Sequence, residues 1–289
     1  MILYAGLEDG RVLALSRELK LVAQIAIDER PVQALDANAA GVVAVTLSGK
    51  VKKLSPRLTL EGERDLAVPL VAVASTLVAG RRAIVAGAAS AAIVGLDEAT
   101  LEQIAHERFA PYTLTGLVAV SPQRLVLSTW QAQVRGASFD GLSPQVFSPF
   151  HMEAHPTALT LIGQTLLAPT SAGTLLVYTA DQPDAPPRSE RFSSGAVWLA
   201  AAAPEGEALV LTQDGTLWRY DVSHDVRTRW GSTLANASAM VACENRVFVS
   251  SEAGEIAAFD LAASGARMAL INVRAKPLAM AIGASSATV

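Results

Sequence analysis

The sequence predicts an all-β fold, and three observations lead to this prediction. Short apolar runs rich in Val, Leu, Ala and Thr alternate with turn signals along all 289 residues. The clearest hairpin signal, Asp214-Gly215 between two apolar runs, recurs with a period of about 41 residues. No stretch shows the apolar period of about 3.6 residues that is typical of an amphipathic helix. Together these observations predict a seven-bladed β-propeller.

The repeat is counted from glycines in tight turns between two apolar runs. Neighbouring clear turns are 39 to 42 residues apart, and the gap between Gly49 and Gly173 has room for two turns that have lost the glycine. The seven predicted turns lie near Gly10, Gly49, Ser90, Ala132, Gly173, Gly215 and Gly254. Seven repeats of this length account for the whole chain, so residues 1–289 are predicted to form a single β-propeller domain.

Each repeat has room for four antiparallel strands, as in a propeller blade. Around the Asp214-Gly215 turn the predicted strands are Ala196–Ala203, Glu207–Gln213, Gly215–Val222 and Val226–Leu234. The chain starts at Ile2 in what reads as a second strand, and residues 278–282 read as a first strand without the rest of its blade. We therefore expect the C-terminal strand to pair with the N-terminal strands and close the ring.

One hairpin also suggests a family. Residues 214–221, Asp-Gly-Thr-Leu-Trp-Arg-Tyr-Asp, resemble the repeats of WD40 and quinoprotein-type (PQQ-like) propellers, and residues 253–260 give the second match to this pattern. The Gly-His and Trp-Asp dipeptides of WD40 repeats are absent, and the tryptophan-docking repeats of quinone-binding proteins are not evident. The resemblance therefore implies the fold and no particular activity.

Composition and charge narrow the classes of partner. The net charge is -4 and no basic stripe is visible, so no nucleic acid is expected. Arg81 and Arg82 divide the most apolar region, no apolar run reaches the spanning length of about 18 residues, and no membrane association is expected. The first residues lack the features of a signal peptide, and the single cysteine, Cys243, cannot form an intrachain disulfide. We expect a cytoplasmic bacterial protein.

The innermost strands of a propeller line its central channel, and catalytic propellers usually place their groups at the channel mouth. The predicted innermost strands are Val32–Asn38, Leu70–Thr76, Leu114–Val120, Thr157–Gly163, Val197–Ala203, Ala237–Cys243 and Leu278–Ala284. Their only formal charge is Asp36, whereas a metal-dependent propeller would gather several oxygen and nitrogen ligands there. Nucleophile elbow, Walker loop and dinucleotide motifs are also missing. We expect no catalytic residue, no metal and no cofactor.

One cluster has the residue types of a metal site. On a β-strand, His151, Glu153 and His155 would lie on one face, and imidazole and carboxylate groups are zinc ligands. The alternative interpretation is an exposed strand end that runs into the loop before Pro156. The sequence leaves both interpretations open.

The connections that enter the innermost strands carry proline in five of the seven repeats, which stiffens them. By propeller topology they share one face with the glycine turns and surround the channel mouth, where residues such as Asn236 would lie. Loops on a rigid scaffold commonly carry recognition. The candidate interaction surface comprises Arg30, Tyr112, Trp130, His151, Glu153, His155 and Lys276.

These patterns favour a protein that is not an enzyme. The predicted function is a non-catalytic protein–protein interaction scaffold, a subunit of a cytoplasmic bacterial assembly, with a protein as its partner. The alternative is a small-molecule enzyme of the lactonase, lyase or quinone-dependent type with a site at the channel mouth. A bound metal or quinone in the purified protein would favour the alternative.

Overall fold

The computed structural model describes residues 1–90, 92–108, 113–131, 133–138, 145–146, 150–151, 154–179, 185–203, 206–262 and 266–283. Within these residues the backbone forms 29 β-strands, which hydrogen-bond into seven antiparallel sheets. Each sheet is one blade, and the blades are numbered from the N-terminus.

The first four blades occupy residues 2–151. Blade 1 contains β1 (Ile2–Leu7), β2 (Arg11–Leu15), β3 (Leu21–Ala26) and the last strand of the chain. Blade 2 contains β4 (Val32–Asn38), β5 (Gly41–Thr46), β6 (Lys50–Leu54) and β7 (Leu60–Asp65). Blade 3 contains β8 (Leu70–Val78), β9 (Arg81–Ala88), β10 (Ala92–Asp97) and β11 (Gln103–Arg108). Blade 4 contains β12 (Leu114–Ser121), β13 (Arg124–Thr129), β14 (Gln133–Ser138), β15 (Gln145–Val146) and β16 (Phe150–His151).

The remaining blades follow the same order. Blade 5 contains β17 (Thr160–Ile162), β18 (Thr165–Pro169), β19 (Thr174–Thr179) and β20 (Arg188–Arg191). Blade 6 contains β21 (Val197–Ala202), β22 (Glu207–Thr212), β23 (Thr216–Asp221) and β24 (Val226–Ser232). Blade 7 contains β25 (Ala237–Cys243), β26 (Arg246–Ser251), β27 (Glu255–Asp260) and β28 (Arg267–Asn272), and β29 (Pro277–Gly283) completes blade 1.

The ring is closed by β29, which pairs antiparallel with β1 so that Leu3 lies opposite Ile282 and Ala5 opposite Met280. The innermost strands β29, β4, β8, β12, β17, β21 and β25 follow one another around the channel, and each contacts the next. The prediction of an all-β, seven-bladed propeller with four antiparallel strands per blade, closed by the C-terminal strand, is confirmed. In blade 4 the place of the fourth strand is taken by two short pieces, both paired with β14.

The hydrophobic core lies between neighbouring blades. A strand in the middle of a blade packs one face against the preceding blade and the other against the next, so both faces are apolar. All six residues of β5 are buried. Val85 and Ile93 of blade 3, for example, belong to the same buried cluster as Leu125 of blade 4. The outermost strands are largely exposed, and some of them, such as β7, carry several charged residues.

The turns between second and third strands use glycine where two chain segments pass in contact. Gly10 has φ = +80°, and a Cβ atom there would lie 2.0 Å from the carbonyl oxygen of Asp28. The Gly10 oxygen accepts the N–H of Ile27 at 3.0 Å, which ties the end of the blade to the turn. The oxygens of Gly49, Gly173, Gly215 and Gly254 accept equivalent bonds from Leu66, Phe192, Thr233 and Val273. In blades 3 and 4 the position is occupied by Ala91 and Ala132, which lie outside the described residues.

The described residues form strands, turns and connecting loops. No helix among them has the length and the apolar character that are needed to cross a membrane.

Candidate functional site on the turn face

We call the face that carries the second-to-third-strand turns the turn face. In every blade the first residue of this turn donates its backbone N–H to the carbonyl oxygen of a residue at the entry to the innermost strand, at 2.8–3.1 Å. The donor–acceptor pairs are Glu8–Lys276, Leu47–Pro31, Ala89–Pro69, Trp130–Thr113, Ser171–His155, Gln213–Ala196 and Glu252–Asn236. These residues form a ring around the channel mouth, which we call the rim.

Trp130 and His155 meet across the boundary between blades 4 and 5. Their rings stack with centroids 4.3 Å apart and planes inclined by 24°. The His155 Nδ1 atom lies 3.4 Å from the hydroxyl of Ser171, in the turn of blade 5. Trp130 nevertheless remains 59% exposed. The stack holds a large aromatic side chain in place while most of its surface faces water.

Glu252 and Lys276 meet across the boundary between blades 7 and 1. The Lys276 Nζ atom donates to Glu252 Oε1 at 2.5 Å, and the side chains are 29% and 55% exposed respectively. The backbone N–H of Lys276 also donates to Glu8 Oε1 at 3.0 Å. An ion pair this exposed contributes little to stability, on the order of 0–1 kcal/mol, so its main effect is on the charge of the rim.

The boundary between blades 6 and 7 contains a pocket of about 110 Å³. It is lined by Thr212, Gln213, Asn236, Ala237 and Glu252. Asn236 adopts a left-handed conformation with φ = +51°, which asparagine tolerates better than most residues. Gln213 and Asn236 are the repeat equivalents of Trp130 and His155, so the pocket occupies the position of the aromatic stack. The side chains of Gln213, Asn236 and Glu252 leave a pocket at this boundary, whereas the two aromatic rings fill the equivalent space between blades 4 and 5.

The turn face is chemically divided. The turns of blades 6, 7 and 1 carry the carboxylates of Asp214, Glu252, Glu8 and Asp9, and we call them the acidic half. The described turn residues of blades 2 to 5 carry no charge, and we call these turns the uncharged half. The exposed large hydrophobic residues of the uncharged half are Leu47, at 37%, and Trp130.

The sequence-predicted surface residues fall into two groups on this face. Arg30 lies in the connection between blades 1 and 2, and Lys276 lies in the connection between blades 7 and 1. Trp130 and His155 lie on the opposite side of the ring. His151 is in β16, but its side chain lies outside the described residues, as do Tyr112 and Glu153.

The proposed metal cluster of His151, Glu153 and His155 therefore stays a prediction, because two of its three side chains are not described. Within the described part of the chain, no group of three or more His, Cys, Asp or Glu residues could hold a metal ion.

The described residues of the innermost strands bring little charge to the channel. Asp36 is the one formal charge there, and its Oδ2 atom accepts the backbone N–H of Ser75 at 2.6 Å. This bond joins β4 of blade 2 to β8 of blade 3. Asp36 thus has a structural role between two blades.

Sequence reasoning did not single out Gln213, Glu252 or a buried carboxylate, Asp28. The Asp28 side chain is 5% exposed and accepts the hydroxyls of Thr46, at 2.7 Å, and Ser48. Burial alone would raise the pKa of Asp28, but hydrogen bonds from Ser48, Thr46 and the next two backbone N–H groups outweigh it and lower the pKa to about 2. Alignment of the seven turns would have found Gln213 and Glu252.

Comparison with known proteins supports the fold and no more. No family model matches the chain, and no curated protein matches it. Among solved structures, the computationally designed Ika8 protein is similar, with a TM-score of 0.74 over 97% of this chain and 87% of that chain. The two sequences are 15% identical, so the similarity shows the fold alone.

Proposed function

We propose that this protein is a non-catalytic interaction module that binds a protein partner through its turn face. The observation that carries the proposal is Trp130, which is 59% exposed although its ring is stacked on His155. A tryptophan supplies a large apolar contact area, and tryptophan is enriched among the residues that dominate binding energy at protein interfaces. An exposed, positioned tryptophan is therefore a suitable anchor for a partner.

The rim supports this proposal because its backbone is already fixed. Each turn is tied to its own blade by the backbone bond described above, so few rim residues need to be ordered when a partner binds. Pre-organisation of this kind lowers the entropic cost of association. Leu47, also exposed in the uncharged half, adds contact area on the same face.

Two finer parts of the proposal rest on the sequence. The hairpin at residues 214–221 supports repeats of the WD40-like or PQQ-like type. We also propose that the protein is a subunit of a cytoplasmic bacterial assembly.

The experiment is native affinity capture with a tagged protein, followed by mass spectrometry. Trp130→Ala should reduce recovery of the partner about tenfold or more, as expected for a residue that dominates an interface. Val226→Ala is the matched control, because Val226 is 55% exposed but lies on the outermost strand of blade 6. Equal recovery with both variants, or no partner with the wild type, would contradict the proposal.

The same preparation tests the alternative function, an enzyme with a site at the channel mouth. About one equivalent of bound metal that is lost in His155→Ala, or a bound quinone, would favour that alternative over the interaction module.

A further inference from the structure

We infer that the pocket between blades 6 and 7 binds the guanidinium group of an arginine side chain on the partner. The inference rests on the proposed function, because it specifies the chemistry of the protein that the turn face binds. It is carried by the shape and lining of the pocket, by the charge of the surrounding turns, and by the position of the pocket on the rim.

The lining of the pocket favours a ligand that donates hydrogen bonds and carries positive charge. Of the lining residues, Gln213 and Asn236 carry carboxamides and Glu252 carries a carboxylate. The Thr212 hydroxyl already has Asp214 Oδ1 as an acceptor at 2.6 Å, so it is engaged within its own turn. A guanidinium group has five N–H donors and no acceptor, and its planar form matches carboxylate and amide oxygens.

The pocket is large enough for the end of a side chain. A cavity must offer about 10–15 Å³ to hold one water molecule, whereas this pocket offers about 110 Å³. It opens on the rim, so a side chain that projects from a partner lying across the channel mouth would reach it without a change in the backbone of the blades.

Glu252 can accept a second cation. Its Oε1 atom is bound by Lys276, which comes from the entry to blade 1 and is not among the residues that line the pocket. A carboxylate has two oxygens with about four acceptor positions, so an incoming guanidinium group can share Glu252 with Lys276. Lys276 would then compete with the ligand for the same negative charge.

The turns on either side of the pocket agree with this ligand, because they carry the carboxylates of Asp214 and Glu252. The pocket lies in the acidic half, whereas Trp130 lies in the uncharged half. A partner that crosses the channel mouth would therefore meet Trp130 with an apolar group and the pocket with an arginine. Arginine and tryptophan are both enriched among the residues that dominate interface energies.

The test uses L-argininamide as the probe and the whole protein, followed by NMR of the side-chain amides of Gln213 and Asn236. We expect saturable shifts with a dissociation constant of roughly 1 mM, which is weak because one side chain is a small ligand. L-Citrullinamide, which has a neutral ureido group of nearly the same shape, should bind about tenfold more weakly or give no saturation.

Three variants test whether L-argininamide binds in this pocket. Glu252→Gln should weaken binding of L-argininamide about tenfold, because the charge in the pocket is lost. Lys276→Met should strengthen binding a few-fold, on the order of an exposed ion pair, because the competing ammonium group is removed. Glu29→Gln is the matched control and should leave binding unchanged, since Glu29 is an exposed acid on the same face beside the entry to blade 2. The melting temperature of each variant shows that the fold is retained.

Equal binding of L-citrullinamide, unchanged binding in Glu252→Gln, or shifts confined to other residues would overturn the inference. The probe requires no protein partner, and Trp130 does not line the pocket. Failure of the titration would therefore contradict the arginine site but not the capture result with Trp130→Ala. Failure of the capture experiment would contradict the interaction module but not the result of the titration.

Discussion

In blades 4 and 6 a buried threonine lies at the end of the second strand, but the surroundings of its hydroxyl group differ. Thr129 and Thr212 each end the second strand and are 1% and 3% exposed. In blade 6 the Thr212 hydroxyl lies within hydrogen-bond distance of two acceptors, Asp214 Oδ1 at 2.6 Å and the Thr216 carbonyl oxygen at 3.0 Å. In blade 4 no described residue forms a hydrogen bond with Thr129 Oγ1, and the next residue is the exposed Trp130.

The two turns use their side chains in different ways. The polar side chains of the blade 6 turn bond to each other, whereas in blade 4 the aromatic ring extends to His155 of the next blade. Blade 2 shows a third arrangement, in which Thr46 donates to Asp28 from the preceding connection. A buried hydroxyl recurs at this position, and its surroundings decide what the turn contributes.

The largest expected effect concerns the turn glycine, which blades 1 and 6 retain as Gly10 and Gly215 and which blade 4 has lost. Gly10→Ala should lower the free energy of unfolding by about 4 kcal/mol, because it combines a left-handed φ with a Cβ atom 2.0 Å from the Asp28 oxygen. Gly215→Ala should cost only about 1–2 kcal/mol, since the nearest atom to its Cβ would be 3.4 Å away. Urea denaturation of both variants measures the difference, and equal losses would show that the close approach in blade 1 is unimportant.

Asp28 should make stability depend on pH. Its pKa in the folded state is lowered to about 2, so its contribution is fully present above its unfolded pKa and is lost as the pH falls from about 4 to about 2. The loss is up to about 2 kcal/mol. Unfolding measured from pH 6 to pH 2 should show wild type and Asp28→Asn converging at low pH. A constant difference between them would mean that the Asp28 carboxylate is not the cause.

The threonine pair tests the comparison directly. Thr212→Val should cost about 1–2 kcal/mol, because it removes a buried hydroxyl that is bonded and leaves Asp214 without that donor. Thr129→Val should be neutral or stabilising by up to about 1 kcal/mol, since it removes a buried hydroxyl without a described partner. Thermal unfolding under identical conditions ranks the two variants. The reverse order would show that the two turns are stabilised alike.

Trp130→Ala should have a small effect on stability, about 1 kcal/mol, because most of the ring is exposed. The stack with His155 is the main interaction that is lost, and stacked aromatic pairs contribute about 0.5–1.5 kcal/mol beyond their buried area. Chemical denaturation checks this value, and loss of the folded state would assign Trp130 to the core of blade 4 and not to recognition.

Much of the fold could be predicted from the sequence because one turn signal repeats. The spacing of the glycine turns fixed the number of blades, and the unpaired strand at residues 278–282 indicated how the ring closes. The strands predicted around Gly215 agree with β21 to β24 within two residues at each end. The predicted innermost strand Thr157–Gly163 is shorter in the structure, where β17 covers Thr160–Ile162.

The candidate site was less predictable because it joins neighbouring repeats. The sequence indicated that Trp130 and His155 belong to one irregular sector, but the stack depends on how blade 5 is rotated relative to blade 4. The pocket of Gln213, Asn236 and Glu252 likewise uses two blades. The repeat pattern does not indicate which side chains meet across a blade boundary. It also did not show that Arg30 and Lys276 lie on the opposite side of the ring from Trp130.

The seven backbone bonds of the rim have a consequence for how such a surface can change. Donor and acceptor are both main-chain atoms, and the acceptor residue is proline in two blades and lysine, threonine, histidine, alanine or asparagine in the others. The bond therefore places almost no demand on the side chain. An aromatic stack, an ion pair and an open pocket occupy equivalent boundaries with the backbone held by the same bond. The side chains at one boundary can thus change by single substitutions that leave the architecture of the ring unchanged.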